Sequence, residues 1–394
     1  MDYIRKQFNT LKGRILEPRK FMQVLAGPRQ VGKSTLVAQV LAQVSIPHVT
    51  EVADAVSPKD NDWIHRIWEA ARTTMMLRGI EEYLLVIDEV QKIENWSEVV
   101  KKEWDADTLS GRPLKVVLLG SSSLLLQKGL SESLAGRFEA TFIPHWSFAE
   151  MREGFGFSLD DYVYFGGYPG AARLIGDVER WRQMVRLSMI DTTISRDVLA
   201  LNRVDKPALL KRLFDIGCAF SSQIVALNKI QGELQEKGNL TTLSGYLELL
   251  SASGLLCGLE KFSGNMIHAR ASKPKLQVYN NALMSAGQLL TKDELLLQPK
   301  VWGRWMESAV GATLLNFARS TGYELYYWNK DSREVDYVLR YGQRVIAIEV
   351  KSGQDSANEG MAIFNNLYHP DALYTVGTNG IPFEEFFQMD LSKL

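Results

Sequence analysis

The sequence predicts an α/β fold that begins with a parallel sheet and ends in a second, smaller α/β region. Three observations predict it. An apolar segment at residues 21–26 precedes a glycine-rich loop, and apolar residues at helical spacing follow that loop at 34–44. A second apolar run, at residues 82–87, ends in two acids. Near the C-terminus two short runs alternate apolar and polar residues, which is typical of strands.

The glycine-rich loop has the pattern G-x-x-x-x-G-K-[ST]. Its glycines let the chain wrap around a phosphate, so that N–H groups and a helix amino terminus face the anion. Lys33 would reach the β- and γ-phosphates, and the Ser34 hydroxyl would ligate Mg²⁺. The alternative, an ordinary glycine-rich turn, does not explain the strand before the loop and the helix after it. The predicted cofactor site comprises Gly27, Pro28, Arg29, Gln30, Val31, Gly32, Lys33, Ser34 and Thr35.

The apolar run at residues 82–87 continues directly into Asp88 and Glu89. This matches a Walker B strand, in which Asp88 would hold Mg²⁺ directly or through water. Glu89 would then be the base that orients and activates the attacking water. The alternative is a buried strand whose terminal acids are simply solvated. A guanine-reading N-K-x-D motif is absent, because residues 329–332 read Asn-Lys-Asp-Ser, so ATP is favoured over GTP.

Two further polar residues are candidates for catalysis. Residues 114–119 predict a strand between the two motif strands, and Ser121 follows its end, where a polar side chain could sense the γ-phosphate. The alternative for Ser121 is a cap in a Ser/Gly loop. Arg137 could stabilise transition-state charge, in its own active site or in that of a neighbouring subunit. The alternative for Arg137 is an ordinary surface arginine.

Charge, hydropathy and cysteine content limit which binding partners and which cellular compartment are expected. The chain has 394 residues and a formal net charge of −1, so DNA contact would need local basic patches. No apolar run approaches the ~20 residues of a membrane span, and the N-terminus lacks the apolar core of a signal peptide. Cys218 and Cys257 lack metal-ligand spacing and predict small core residues in a reducing compartment. We therefore expect a cytoplasmic protein without a membrane partner.

The chain is predicted to have four parts, with boundaries at about residues 150, 204 and 290. The third part predicts a winged helix, with helices at 205–219, 224–235 and 241–253 and two wing strands. The wing loop is locally basic and could contact a DNA backbone. The recognition helix has no Lys or Arg, which counts against direct base reading. A packing module is the alternative. The basic wing residues are His268, Arg270, Lys273 and Lys275.

The last part contains a D…E-x-K pattern on two predicted strands. Side chains on a strand alternate between faces, so Glu349 and Lys351 project from the same face. Asp336 and Glu349 could hold Mg²⁺ against a scissile phosphate, with Lys351 activating water or stabilising charge. Glu307, on the amphipathic helix 302–319, could supply a further carboxylate. The alternatives are a wet edge strand or a degenerate nuclease fold retained for packing or binding.

Taken together, these segments resemble the prokaryotic AAA+-like ATPases in which a P-loop domain precedes a C-terminal domain of unknown function. The resemblance runs essentially from end to end. It implies an ASCE-type sheet at 1–150, a helical lid at 151–204, a winged helix at 205–290 and a PD-(D/E)xK nuclease-like domain at 291–394. It also implies ATP and Mg²⁺ as ligands. The matching pieces are residues 27–34, 85–91, 119–122, 134–137, 165–170, 194–198, 335–336 and 348–351.

Two functions remain open after this comparison of motifs. In the first, ATP hydrolysis acts on nucleic acid, with or without a nuclease step. In the second, the chain is a nucleotide-controlled switch that binds a protein partner and carries an inactive nuclease-like domain. Arg196 could be a lid-borne nucleotide sensor or one half of a structural Arg–Asp pair. A homo-oligomer is compatible with either function.

Overall fold

The computed structural model describes residues 3–120, 133–199, 203–233, 239–263, 272–353 and 359–394. The chain divides into two compact units, Met1–Ile143 and Pro144–Leu394. The second unit contains the last three of the four predicted parts, whose separation into individual domains stays a prediction.

The first unit is built on a five-stranded parallel sheet. Its strands are β1 (Met22–Ala26), β2 (His48–Val52), β3 (Tyr83–Asp88), β4 (Leu114–Gly120) and β5 (Phe138–Phe142). They lie in the order β2-β3-β4-β1-β5, so β4 lies between the two motif strands β1 and β3, as predicted. The described helices of eight or more residues in this unit are α1 (Phe8–Leu16), α2 (Lys33–Leu41), α3 (Asp62–Arg78) and α4 (Trp96–Leu109).

Both faces of this sheet are covered by helices, and this explains the unbroken apolar run in β3. Leu84 and Val86 pack in a cluster with residues of α1 and α2. Leu85 and Ile87, on the opposite face, pack with tryptophans of α3 and α4. Strands buried on both faces read as continuous apolar runs rather than as alternating ones. Asp88, the last residue of β3, is the polar end of this otherwise apolar strand and is only partly buried.

The second unit opens with helices. The first two, α5 (Phe148–Phe155) and α6 (Leu159–Phe165), each begin with a capping box, in which a serine and an acid three residues later bond each other's backbone. Helix α7 (Val178–Met184) continues as π-helix through Val185–Asp191 and Thr193–Leu199. The sequence predicted a helical region here but not its π-helical geometry.

A small helical and antiparallel region follows. Its helices are α8 (Pro207–Ala219), α9 (Leu227–Glu233) and α10 (Leu240–Ala252), and its strands are β6 (Gln223–Ile224), β7 (Leu256–Leu259) and β8 (Lys275–Val278). The sheet order is β6-β8-β7. These elements coincide with the predicted helices and wing strands to within a few residues; the winged-helix assignment stays a prediction. Two short helices, α11 (Asn281–Ser285) and α12 (Lys292–Leu296), come next.

The C-terminal region packs a long helix against a four-stranded mixed sheet. The elements are α13 (Pro299–Thr321), β9 (Glu324–Lys330), β10 (Arg333–Tyr341), β11 (Arg344–Lys351), α14 (Glu359–Tyr368), β12 (Ala372–Gly377) and α15 (Phe383–Gln388). Strands β9, β10 and β11 form an antiparallel meander, and β12 pairs parallel to β11.

The pairing of β10 with β9 shifts register between Val335 and Val338. Such a bulge re-aims side chains locally, and it lies at Asp336. No helix in the described ranges is both long and apolar enough to cross a membrane.

Candidate functional site

The phosphate loop connects the end of β1 to the start of α2. Two of its glycines are needed for different reasons. A Cβ on Gly27 would lie 2.2 Å from the carbonyl oxygen of Ile143, so only glycine fits this close approach to the chain after β5. Gly32 has φ +90°, a left-handed conformation that glycine adopts without steric cost. The loop shape is therefore determined by backbone sterics at both ends.

Lys33 is buried, and its ammonium lies over its own loop. Nζ donates hydrogen bonds to the carbonyl oxygens of Gly27, at 2.9 Å, and Pro28, at 2.8 Å. Val31 is held from outside the loop, because its carbonyl oxygen accepts a hydrogen bond from Arg5. These contacts keep the lysine at the loop, where a bound phosphate would meet it.

The end of β3 meets the start of α2. The Ser34 hydroxyl donates to Asp88 Oδ2 at 2.6 Å, and the Glu89 N–H donates to Asp88 Oδ1 at 2.8 Å. Glu89 has φ 55°, an uncommon conformation for a residue with a side chain. Its carboxylate accepts a hydrogen bond from Gln91. The two predicted Mg²⁺ ligands therefore lie together, with the candidate base beside them.

This donor set fits the ligands that the sequence predicts. Hydroxyl and carboxylate oxygens are ligands of the kind that Mg²⁺ prefers. The amino terminus of α2 adds the partial positive charge that favours phosphate. The remaining predicted loop residues, Arg29, Gln30 and Thr35, lie on the same segment, and Thr35 is exposed in the first turn of α2. Their contact with a nucleotide stays a prediction.

Arg137 is not brought to the phosphate loop. Its backbone carbonyl accepts a hydrogen bond from Met22, at the amino end of β1, whereas the loop follows the carboxyl end. Its guanidinium makes a two-pronged ion pair with Asp105 of α4, at 2.7 and 3.0 Å. A role in its own active site does not agree with this position, so only the role across a subunit boundary is retained as a proposal. Ser121 lies outside the described residues.

The nuclease-like residues converge in the second unit. Lys275 Nζ lies 2.8 Å from Glu307 Oε1 and 3.4 Å from Asp336 Oδ1. Asp336 Oδ2 accepts a hydrogen bond from the Val350 N–H, which ties the bulge of β10 to β11. Glu349 and Lys351 form an ion pair at 2.6 Å, consistent with their shared face. We call Lys275, Glu307, Glu334, Asp336, Glu349 and Lys351 the carboxylate–lysine cluster.

Sequence reasoning assigned one member of this cluster to the wrong surroundings. Lys275 was predicted in the basic wing, but it has no solvent exposure. Its neighbour Lys273 is exposed, whereas His268 and Arg270 lie outside the described residues. The signal that could have revealed the difference is weak: Lys275 begins a strand of otherwise buried residues. Glu334, which contacts Lys275 at 3.0 Å, carried no sequence signal.

Burial and charge shift several pKa values in the cluster. Burial raises the pKa of Glu307 to about 7, although Lys275 opposes the shift. Burial and the nearby charge of Asp336 raise the pKa of Glu349 to about 7. Burial opposes the charged form of Lys275, but Glu307 and Asp336 raise its pKa well above the usual value. Glu349 Oε2 is buried without a hydrogen-bond partner in the described structure.

Three family models match successive parts of the chain. Residues 19–152 match a model described as an AAA domain. Together with the parallel sheet and the loop geometry, this match decides the nature of the first unit. Residues 19–152 form an AAA-type P-loop ATPase domain. Residues 156–294 and 302–390 match two models described as domains of unknown function, DUF8612 and DUF4143.

Relatives and a solved structure extend the comparison. An uncharacterised protein of Mycobacterium tuberculosis is 27% identical over 335 residues, which cover 83% of this chain and 69% of the relative. An uncharacterised protein of Methanocaldococcus jannaschii is 23% identical over 362 residues, covering 85% and 75%. The Walker-type ATPase PABY2304 of Pyrococcus abyssi superposes with a TM-score of 0.50 at 13% identity, covering 72% of this chain and 95% of that one. The structural likeness shows the fold of a P-loop ATPase.

Proposed function

We propose that the ATPase domain binds ATP together with Mg²⁺ and hydrolyses the nucleotide. The observation that carries this proposal is the 2.6 Å contact between Ser34 Oγ and Asp88 Oδ2. It joins the phosphate loop to the end of β3, where both oxygens could face one cation on the β- and γ-phosphates. Lys33 would bind the phosphates, and Glu89 would orient the attacking water.

We further propose that ATP turnover is coupled to nucleic-acid binding or processing by the second unit. The order of helices and strands from α8 to β8 supports a winged helix, and exposed Lys273 supports phosphate contact. The proximity of Asp336, Glu349 and Lys351 supports a nuclease-like C-terminal region, in which Asp336 and Glu349 would be the candidate metal ligands. Carboxylate oxygens suit Mg²⁺ or Mn²⁺.

A second candidate is a nucleotide-controlled switch that binds a protein partner. Two observations favour it. Lys275 is buried and paired with carboxylates, so it cannot contribute to a basic wing surface. Helix α10, which would read bases, contains no Lys or Arg. Under this proposal the C-terminal region binds its partner without cleaving phosphodiesters.

Steady-state ATP hydrolysis tests the primary proposal. Wild type should turn over ATP with Mg²⁺ but not with EDTA, and Asp88→Asn should lose Mg²⁺-dependent turnover. Glu89→Gln provides the blank, and Glu94→Gln, an exposed acid beyond the same strand, provides the matched control that retains turnover. Wild-type turnover no greater than that of Glu89→Gln would refute hydrolysis at this site.

The same assay with single-stranded, duplex and branched DNA distinguishes the nucleic-acid function from the protein-directed switch. Stimulation by DNA, with binding that weakens steeply as salt rises, supports the nucleic-acid function, because phosphate contacts release counterions. An ATP hydrolysis rate that does not change when DNA is added supports the protein-directed switch. If the nuclease-like region cleaves DNA with Mg²⁺ or Mn²⁺, Lys351→Ala should abolish cleavage and leave ATP hydrolysis intact. The absence of wild-type cleavage on all three substrates would exclude nuclease activity on them.

A further inference from the structure

Lys275 is completely enclosed in the carboxylate–lysine cluster. It enters from β8, whereas the acids around it belong to α13 and β10. Its ammonium contacts Glu307 at 2.8 Å, Glu334 at 3.0 Å and Asp336 at 3.4 Å, and it also lies 3.3 Å from the Asp336 carbonyl oxygen. Four oxygens from three acidic residues therefore converge on one nitrogen atom.

A buried lysine needs compensating partners, because transferring an unpaired charge out of water is very costly. Here the partners are those that a divalent cation would use, namely carboxylate and carbonyl oxygens. The distances match hydrogen bonds to an ammonium group and not metal ligation, which needs about 2.0–2.1 Å for Mg²⁺ and 2.3–2.6 Å for Ca²⁺. A divalent cation at the same point would have to displace the ammonium.

Metal-like groupings elsewhere support this distinction. In the described part of the chain, the group whose ligand atoms all lie within 4.8 Å of one another is His65, Glu69 and Glu103. Both acids of that group, Glu69 and Glu103, are already paired with the guanidinium of Arg72. The three acids around Lys275 do not form such a group in the described structure, where the Lys275 ammonium lies between them.

Glu349, the acid beside this group, differs from the three acids around Lys275 in its hydrogen bonding. Glu349 is paired with Lys351 through one oxygen, and its other oxygen is buried without a hydrogen-bond partner in the described structure. This unpartnered oxygen is Glu349 Oε2, and Glu349 and Asp336 are the two residues of this region that the sequence predicts as metal ligands. Any divalent cation in this region would therefore be limited to the side of Asp336 that faces Glu349.

We propose that Lys275 is the built-in cation of this cluster and fills the point where Glu307, Glu334 and Asp336 converge, so that no divalent cation binds there. Glu307 is then a partner of Lys275 and not a metal ligand. The C-terminal region holds its acids together without metal at this point, and a two-metal arrangement of these carboxylates is excluded. This inference does not depend on ATP hydrolysis in the first unit.

Counting bound Mn²⁺ in the full-length chain tests the inference. The parent carries Asp88→Asn, which removes the predicted metal ligand of the ATPase domain, and no nucleotide is added. Lys275→Met keeps the length of the side chain but removes its charge. We expect Lys275→Met to bind about one more Mn²⁺ per chain than the parent, measured by calorimetry and by the spin-resonance signal of free Mn²⁺. Adding Glu334→Gln should abolish the gained site.

Two controls make the outcome decisive. Lys115→Met removes another buried lysine, which contacts one carbonyl and one acid, and it should gain no Mn²⁺. Glu307→Gln in the parent should leave Mn²⁺ binding unchanged, and this arm decides the matter if Lys275→Met does not fold. Loss of a bound Mn²⁺ in Glu307→Gln, or a folded Lys275→Met that binds no more Mn²⁺ than the parent, would overturn the inference.

Discussion

Two buried lysines, Lys33 and Lys275, show how differently the two units assemble a charged site. Lys33 donates to carbonyl oxygens only five and six positions away in the chain. Lys275 contacts Glu334 and Asp336, which are 59 and 61 positions away and on a different sheet. The first lysine belongs to a contiguous motif, and the second to a cluster that exists only after folding. A short motif therefore identifies one site, whereas the other is visible only in three dimensions.

The largest expected effect tests the chemical step in the ATPase domain. Glu89→Gln keeps the shape of the side chain but removes the base, so we expect ATP turnover to fall by about 10²–10⁴-fold. ATP affinity should change little, since the role proposed for Glu89 is to orient water and not to contact the phosphates. Turnover and calorimetric binding should be measured on the same preparation. Retention of full turnover would show that Glu89 is not the base.

The second-largest effect is expected in the carboxylate–lysine cluster. Lys275→Met leaves three acids facing one another without their cation, and we expect the free energy of unfolding to fall by roughly 3–5 kcal/mol. Lys115→Met is the matched comparison: its acidic partner Glu82 is 38% exposed and can be solvated. We expect a smaller loss there, which denaturant unfolding of both variants would measure. Equal losses would mean that the three acids around Lys275 add nothing to an ordinary buried lysine.

Replacing the buried lysine of the first unit, Lys33, should change the free energy of ATP binding by less than Lys275→Met changes the free energy of unfolding. Lys33→Ala removes an ammonium that would contact the β- and γ-phosphates. Since a hydrogen bond to a charged group contributes about 1.5–3 kcal/mol, we expect ATP affinity to fall roughly 10–100-fold. Calorimetry with ATP and Mg²⁺ measures this change. An affinity equal to that of wild type would argue against nucleotide binding at the loop.

The smallest expected effect concerns Arg137. Because its guanidinium is paired with Asp105 near the surface, Arg137→Ala should change stability by no more than about 1 kcal/mol and should leave turnover nearly intact. Thermal unfolding and the ATP assay check both points. A large loss of turnover that is restored by mixing with Lys33→Ala would instead assign Arg137 to the active site of a neighbouring subunit and show an oligomer.

Prediction from sequence agreed with the structure where a short motif stands at the end of a regular strand or at the start of a helix. Strand β3 was predicted at residues 82–89, ending in two acids, and is observed at Tyr83–Asp88. The side chains of Asp88 and Ser34 lie in contact, and the Mg²⁺ that the sequence predicts between them stays a prediction. Such agreement is expected in a parallel sheet, because the carboxyl ends of β1 and β3 meet at one edge.

What the sequence left open depended on distant packing. Arg137 was a candidate for its own active site or for that of a neighbouring subunit, with a surface arginine as the alternative. The residue directly precedes β5, whose start lies at the amino end of β1. The register shift between Val335 and Val338 has no sequence signature. Asp336, inside it, contacts both Lys275 and the backbone of β11. A register shift in one strand, or the edge of the sheet at which a residue lies, decides which charged side chains come into contact. These contacts cannot be recognised from a single sequence.

The sequence by itself predicted the ligand class, because the glycines, lysine, serine and acids of the phosphate loop and β3 form a local motif that is typical of phosphate binding. It also determined the strand–helix alternation of the first unit, through continuous apolar runs that need cover on both faces. Only the tertiary structure decided the surroundings of Lys275. A charge on a strand is a surface group or a buried one depending on what packs against it, and here α13 and β10 bring three acids to a lysine that would otherwise face solvent.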